Sequence, residues 1–129
     1  INISGLYNVS PQILPLDVIT LSEKGFEKVI CNRPDFEVPP DLQSKEIEKV
    51  AKEVGILFEY HPLTHDTMHG HNIEKQMKFA DTCKNPVLAY CASGTRCTVV
   101  WALGQIGKMP KDEILATTLR SGYNLTGLF

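Results

Sequence analysis

A chain of 129 residues, 43% of them hydrophobic and 22% charged, is the size and composition of one globular domain with a single core. No apolar run approaches the ~20 residues a membrane-spanning helix needs. The net charge of −2, with no basic stripe and no aromatic-basic interleaving, argues against a nucleic-acid partner.

The apolar pattern alternates between short strand-like runs and helical stretches. Leu6-Tyr7-Asn8-Val9 reads as a first strand, ended by Ser10-Pro11. Asp17 to Leu21 lies in a short helix stopped by Gly25, and Lys28-Val29-Ile30-Cys31 is a buried strand broken by Asn32-Arg33-Pro34-Asp35. The proline-rich stretch from Phe36 to Leu42 reads as a loop. Ser44 is the expected cap of a helix through Val54, with Ile47, Val50, Ala51 and Val54 on one face and Gly55 at its end.

Leu57 to His61 is the next strand, followed by a polar loop from Pro62 to His71, expected to be solvated and mobile. A helix over Asn72 to Cys83 turns Ile73, Met77 and Ala80 inward. Pro86 then opens the strand Val87-Leu88-Ala89-Tyr90, and a helix carrying Val99, Val100, Ala102 and Leu103 ends at Gly104 or Gly107. A last helix starts at Pro110, with Ile114, Leu115 and Leu119 toward the core. This alternation predicts one α/β domain over the whole chain, a mostly parallel central sheet flanked by helices in three layers. Ligands of such sheets sit beyond the carboxyl ends of the strands. Those ends supply Asn32 to Asp35, the loop holding Asp66, and Cys91 to Arg96.

The segment Cys91-Ala92-Ser93-Gly94-Thr95-Arg96, between a buried strand and an amphipathic helix, carries the strongest chemical signal. A helix N-terminus presents unpaired N–H groups and the positive end of the helix dipole, a ready anion site. Gly94 lets the backbone curl so that the N–H groups of Ala92, Ser93, Gly94 and Thr95 converge. Arg96 adds a planar fork of donors suited to an oxyanion. The same positive field lowers the pKa of Cys91 from its usual ~8.5 and makes it a nucleophile near neutral pH.

Val87 to Leu103, together with Ser10-Pro11-Gln12 and Asn32-Arg33-Pro34-Asp35, resembles the phosphatase-like domain (DUF442) found alone or fused to β-lactamase-like hydrolases. The resemblance runs in order along nearly the whole chain. It implies the cysteine-phosphatase fold, near the dual-specificity phosphatases, with Cys91 as nucleophile and Arg96 as phosphate clamp. It also implies a general acid after the strand preceding the nucleophile strand, where Asp66 is the first candidate and His65 stands behind it. Three positions depart from the phosphatase pattern. Four residues rather than five separate Cys91 from Arg96; Tyr90 stands where a His is usual; and Cys97 follows the arginine in place of Ser or Thr, with Thr98 one step on.

The expected function is therefore hydrolysis of a phosphate ester through a cysteinyl-phosphate, the partner being a small phosphate-bearing molecule or a phosphoprotein. No metal or organic cofactor is implied. Two rivals stay open: a rhodanese-like sulfurtransferase carrying a persulfide on Cys91, whose cysteine loop is also the shorter one, and a non-catalytic anion-binding module. Arg33 reads either as a contact for a second anionic group or as half of an ion pair within its own Arg-Pro-Asp turn. His61, His65, His69 and His71 crowd one loop, but nothing in their spacing fixes a metal geometry. Cys31 is either a small buried hydrophobe, as Cys83 is expected to be, or a reversible disulfide partner of Cys91, with Cys97 a second candidate for that pairing. The opening residue is Ile1, compatible with a removed signal peptide among other upstream segments, so cytoplasm and periplasm both stay open.

Overall fold

The computed structural model describes residues 1–129. Its sheet has five strands: β1 (Asn2–Ser4), β2 (Tyr7–Ser10), β3 (Lys28–Cys31), β4 (Leu57–Tyr60) and β5 (Val87–Tyr90). They lie in the order β1-β2-β5-β3-β4, all parallel except β1, which pairs antiparallel with β2. Five α-helices cover it: α1 (Pro15–Glu23), α2 (Ser44–Val54), α3 (His71–Asp81), α4 (Thr95–Gly104) and α5 (Lys111–Arg120). The α/β class and parallel sheet expected from the alternation are those observed. No helix is long and apolar enough to cross a membrane.

The central strands are buried on both faces, which is why they read as continuous apolar runs rather than alternating ones. Their side chains nevertheless divide by parity between two cores. Val29, Cys31, Leu88 and Tyr90 pack with Val18, Ile47 and Ala51 of α1 and α2. Ile30, Val87 and Ala89 pack on the opposite face with Met77 of α3, Trp101 of α4 and Ile114 of α5. The register pairs Tyr90 with Ser10 on one side and with Cys31 on the other, and Cys31 with Tyr60. Four parallel strands thus end level, and the loops that follow them meet at one edge.

Several local expectations change. The hairpin strand β1 is too short to carry a sequence pattern, and it returns through Gly5 at φ 54°. Ser44 does not cap α2: it is the first helical residue, and Gln43 precedes it in extended geometry. The cap comes from Asp35, whose carboxylate accepts from the Ser44 N–H at 2.7 Å and from the Ser44 hydroxyl at 2.9 Å. The Phe36–Leu42 stretch is ordered by two 3₁₀ turns, Asp35–Glu37 and Pro40–Leu42. Leu119 is 58% exposed, so the inward face of α5 is Ile114, Thr117 and Thr118, with Leu115 packed beside it. The segment after β4 is not wholly solvated either, because His61 and Leu63 are buried and His65–Thr67 forms a 3₁₀ turn.

Asp35→Ala removes the acceptor for two donors at the start of α2. The expected cost is about 1 kcal/mol, or roughly 4 °C in Tm, with the fold retained. Thermal unfolding followed by circular dichroism checks it, and an unchanged Tm would remove Asp35 from the capping role.

Candidate active site

Cys91 follows β5 directly and is 1% exposed. Its backbone N–H reaches back to the Ser10 carbonyl at 3.3 Å, so β2 holds the cysteine loop at its first residue. Gly94 turns the chain into α4 with φ 90°, a left-handed geometry natural to glycine. Any larger residue would also drive its Cβ into the Tyr123 hydroxyl, which donates to the Ser93 carbonyl at 3.0 Å and closes the outside of the loop. The turn aims the Gly94 N–H at Cys91 Sγ, 3.1 Å away.

Cys97, fully buried, sits one helical turn further along against the same sulfur. Its thiol donates to Cys91, and the N–H groups of Cys97, Gly94 and Ser93 add to it. Together they outweigh burial and bring the Cys91 pKa down to about 5. Cys97 moves the other way: burial and the neighbouring thiolate push it well up, so it stays a protonated donor. Thr98 is spent on its own helix, its hydroxyl donating to the Gly94 carbonyl at 2.8 Å. The thiol of Cys97 therefore occupies the place of the hydroxyl that phosphatases carry after the arginine. Tyr90, the other departure from that pattern, turns its side chain into the α1/α2 core and away from the site.

Arg96 is held from outside the loop. Its Nη1 donates to Glu37 Oε2 at 2.9 Å and to the Leu63 carbonyl at 3.0 Å, and its Nη2 donates to Glu37 Oε1 at 2.7 Å. A guanidinium has five N–H donors. Three are used here, leaving Nε–H and the outer Nη2–H, a parallel pair on one edge, within reach of the charge of the Cys91 thiolate. Glu37 is kept ionised, its carboxyl held low chiefly by the hydrogen bonds from Arg96. Arg33 braces the same carboxylate through Nε at 3.3 Å and donates to Gln12 Oε1 at 3.2 Å. It is thus neither paired with Asp35 nor presented to solvent as a free anion contact.

Behind the loop lies a buried polar network. Asn32 and Gln76 exchange hydrogen bonds of 3.0 and 2.8 Å, and Asn32 also donates to the His61 carbonyl at 2.8 Å. His61 Nδ1 meets Gln76 Oε1 at 2.7 Å, and Gln76 donates to Tyr7, whose hydroxyl donates to the Cys97 carbonyl at 2.8 Å. Side chains from β2, the ends of β3 and β4, and α3 so fix the first turn of α4. The four histidines do not converge, because His61 turns into this core while the other three stay outside, and no cluster of three or more metal-ligating side chains forms.

Beside Arg96 opens a cavity of about 380 Å³ lined by Glu37, Thr64, His65, Met68, Thr95 and Val99 along with Arg96 itself. Asp66 is exposed and outside that lining. Cys91, Arg96 and the backbone of Ala92, Ser93, Gly94 and Thr95 are brought together; Asp66 does not join them. Sequence reading missed Glu37, Tyr123 and the Asn32–Gln76–Tyr7 network.

A strand, a cysteine turn and a helix carrying an arginine fork beside a buried thiolate define the cysteine-phosphatase fold. Solved structures agree. A candidate phosphatase from Neisseria meningitidis Z2491 superposes with TM-score 0.87 at 29% identity, over 98% of this chain and 91% of that one. Kinase associated phosphatase gives 0.74 at 14% identity over 93% and 78%, and the core catalytic domain of a PP-IP phosphatase from S. cerevisiae gives 0.72 at 16% over 99% and 78%.

The chain belongs to the family described as "Beta-lactamase hydrolase-like protein, phosphatase-like domain", whose model matches residues 2–108. Beta-lactamase hydrolase-like proteins of Xylella fastidiosa and Agrobacterium fabrum are 26% and 27% identical over 111 and 128 residues, covering 84% and 97% of this chain. The chain spans 26% and 30% of the length of those relatives.

Alkylation of Cys91 by iodoacetamide should rise with pH through a midpoint near 5, since only the thiolate reacts. Cys97→Ala, which removes the largest stabilising contact, should move that midpoint upward. A midpoint near ~8.5 in the parent protein would contradict the cradle.

Proposed function

We propose that this domain hydrolyses a phosphate monoester through a cysteinyl-phosphate. The observation that carries the reading is the unspent Nε/Nη2 edge of Arg96 beside the Cys91 thiolate, at the start of α4. With its pKa near 5, Cys91 is about a hundredfold more thiolate than thiol at pH 7. Its sulfur attacks phosphorus in line with the ester oxygen. The equatorial oxygens take hydrogen bonds from the loop N–H groups and from the Arg96 edge; the Gly94 N–H, on Cys91 Sγ before substrate binds, and the Thr95 N–H, on Ser93 Oγ, turn to them as they arrive. The leaving oxygen takes a proton from the His65–Thr67 turn. Water then attacks the phosphoryl-cysteine, and the Cys97 thiol stabilises the departing sulfur.

One observation supports the sulfurtransferase reading: with four residues between Cys91 and Arg96, the loop is shorter than the five-residue phosphatase loop. A direct comparison decides between them. The protein is assayed with an aryl phosphate and, separately, with thiosulfate plus a thiol acceptor, against Cys91→Ser, Arg96→Ala and Arg96→Lys. Ester hydrolysis is expected, absent in Cys91→Ser. It should be reduced ~100-fold or more in both Arg96 variants, because a point charge cannot replace a bidentate edge. Activity largely retained in Arg96→Lys would remove the clamp role. Turnover of thiosulfate alone would establish the sulfurtransferase, and binding of phosphate without turnover of either substrate would leave an anion-binding module.

A further inference from the structure

We propose that His65 is the proton donor to the leaving group, and that Asp66, the carboxyl next to it in sequence, is not. The proposal rests on the phosphatase reading above and names a catalytic residue for it. In-line attack by Cys91 puts the leaving oxygen opposite the sulfur, at the mouth of the loop, and the 380 Å³ cavity lined by Thr95 and Arg96 of that loop is the recess that can hold the alcohol it carries. The donor must lie within hydrogen-bond reach of that oxygen.

The lining can be taken residue by residue. Glu37 is its only carboxyl, and Arg96 and Arg33 keep it ionised, so it has no proton to give. Arg96 does not release protons. Met68 and Val99 have none, and Thr64 and Thr95 hydroxyls are far too weak as acids. Tyr123, on the other side of the loop, has its hydroxyl proton committed to the Ser93 carbonyl and is pushed up by burial. His65 remains.

Its turn is fixed locally. Thr67 Oγ1 accepts from the Thr64 N–H at 2.9 Å, and the Thr67 N–H returns to the Thr64 carbonyl at 3.1 Å. In a 3₁₀ turn consecutive side chains splay about 120° apart. With His65 lining the cavity, Asp66 is carried outward. The charged groups that share the cavity with His65 are Glu37 from the β3–α2 segment and Arg96 from α4, and Asp66 adjoins it in the chain. Glu37 and Arg96 neutralise each other as a pair.

The step balances. The sulfur–phosphorus bond forms as the phosphorus–oxygen bond breaks, the electron pair stays on oxygen, and the imidazolium N–H passes its proton to that oxygen. The neutral imidazole then takes a proton from the water that attacks phosphorus, releasing phosphate and the Cys91 thiolate.

The test compares 4-nitrophenyl phosphate, whose leaving group needs little protonation, with phenyl phosphate, whose leaving group needs it, in His65→Gln and Asp66→Asn. His65→Gln should slow phenyl phosphate by ~100-fold or more and 4-nitrophenyl phosphate only slightly. In the parent protein, kcat/KM for phenyl phosphate should rise through the Cys91 ionisation near 5. It should then fall on the alkaline side, where the donor no longer carries its proton. That alkaline limb should vanish in His65→Gln, and Asp66→Asn should leave both esters within about threefold of the parent. Selective slowing of phenyl phosphate by Asp66→Asn, or equal slowing of both esters by His65→Gln, would overturn the assignment. If the parent protein hydrolysed neither ester, the phosphatase reading would itself fail, and the donor role with it.

Discussion

The constraint on which this structure depends is a negative sulfur buried at a helix start. A thiolate with 1% of its residue exposed cannot be stabilised by solvent, so every partner must come from the chain. Gly94 supplies a directed N–H and the backbone turn, Cys97 a thiol proton, and α4 the field of its first turn. Each depends on something behind it: Gly94 on the left-handed turn packed under Tyr123, and Cys97 on Tyr7, Gln76 and Asn32. The polar network costs apolar core volume but leaves the first turn of α4 little freedom to shift.

The second demand is charge placement across the mouth of the loop. An arginine free to swing would collapse onto the thiolate or extend into solvent. Glu37 prevents both by taking the Nη1–Nη2 end of Arg96, which leaves the Nε side for a ligand. Arg33 balances the extra carboxylate, so the trio keeps one net positive charge beside the Cys91 thiolate. The segment from Asn32 to Glu37 is thus a scaffold for the clamp, and its other carboxylate, Asp35, ties that scaffold to α2.

The parts of this arrangement legible in the sequence were the contiguous ones. Cys91 to Arg96 carries nucleophile, turn and clamp within six residues, and the buried runs Lys28–Cys31 and Val87–Tyr90 announced a parallel sheet with both faces covered. Glu37 could not be seen, because its role is set by a partner 59 positions away. Ser44 has the chemistry of a cap, but Asp35 reaches the helix start from a turn the proline-rich pattern does not specify. His61 looked like one of four loop histidines and proves to be a core residue, since the segment bends inward through Leu63. Asp66 reads as the first candidate for the acid and His65 as the second; of the two, only His65 lines the cavity beside Arg96, a difference set by a turn that the sequence does not specify.

The central claim is that phosphorus becomes bonded to Cys91 during turnover. Acid quenching in the steady state with 4-nitrophenyl phosphate, followed by peptide mass spectrometry, tests it most directly. The account predicts one phosphoryl group on the peptide containing Cys91, absent from Cys91→Ser. Continued turnover with no phosphoryl group on the protein, or with one on any other residue, would contradict it.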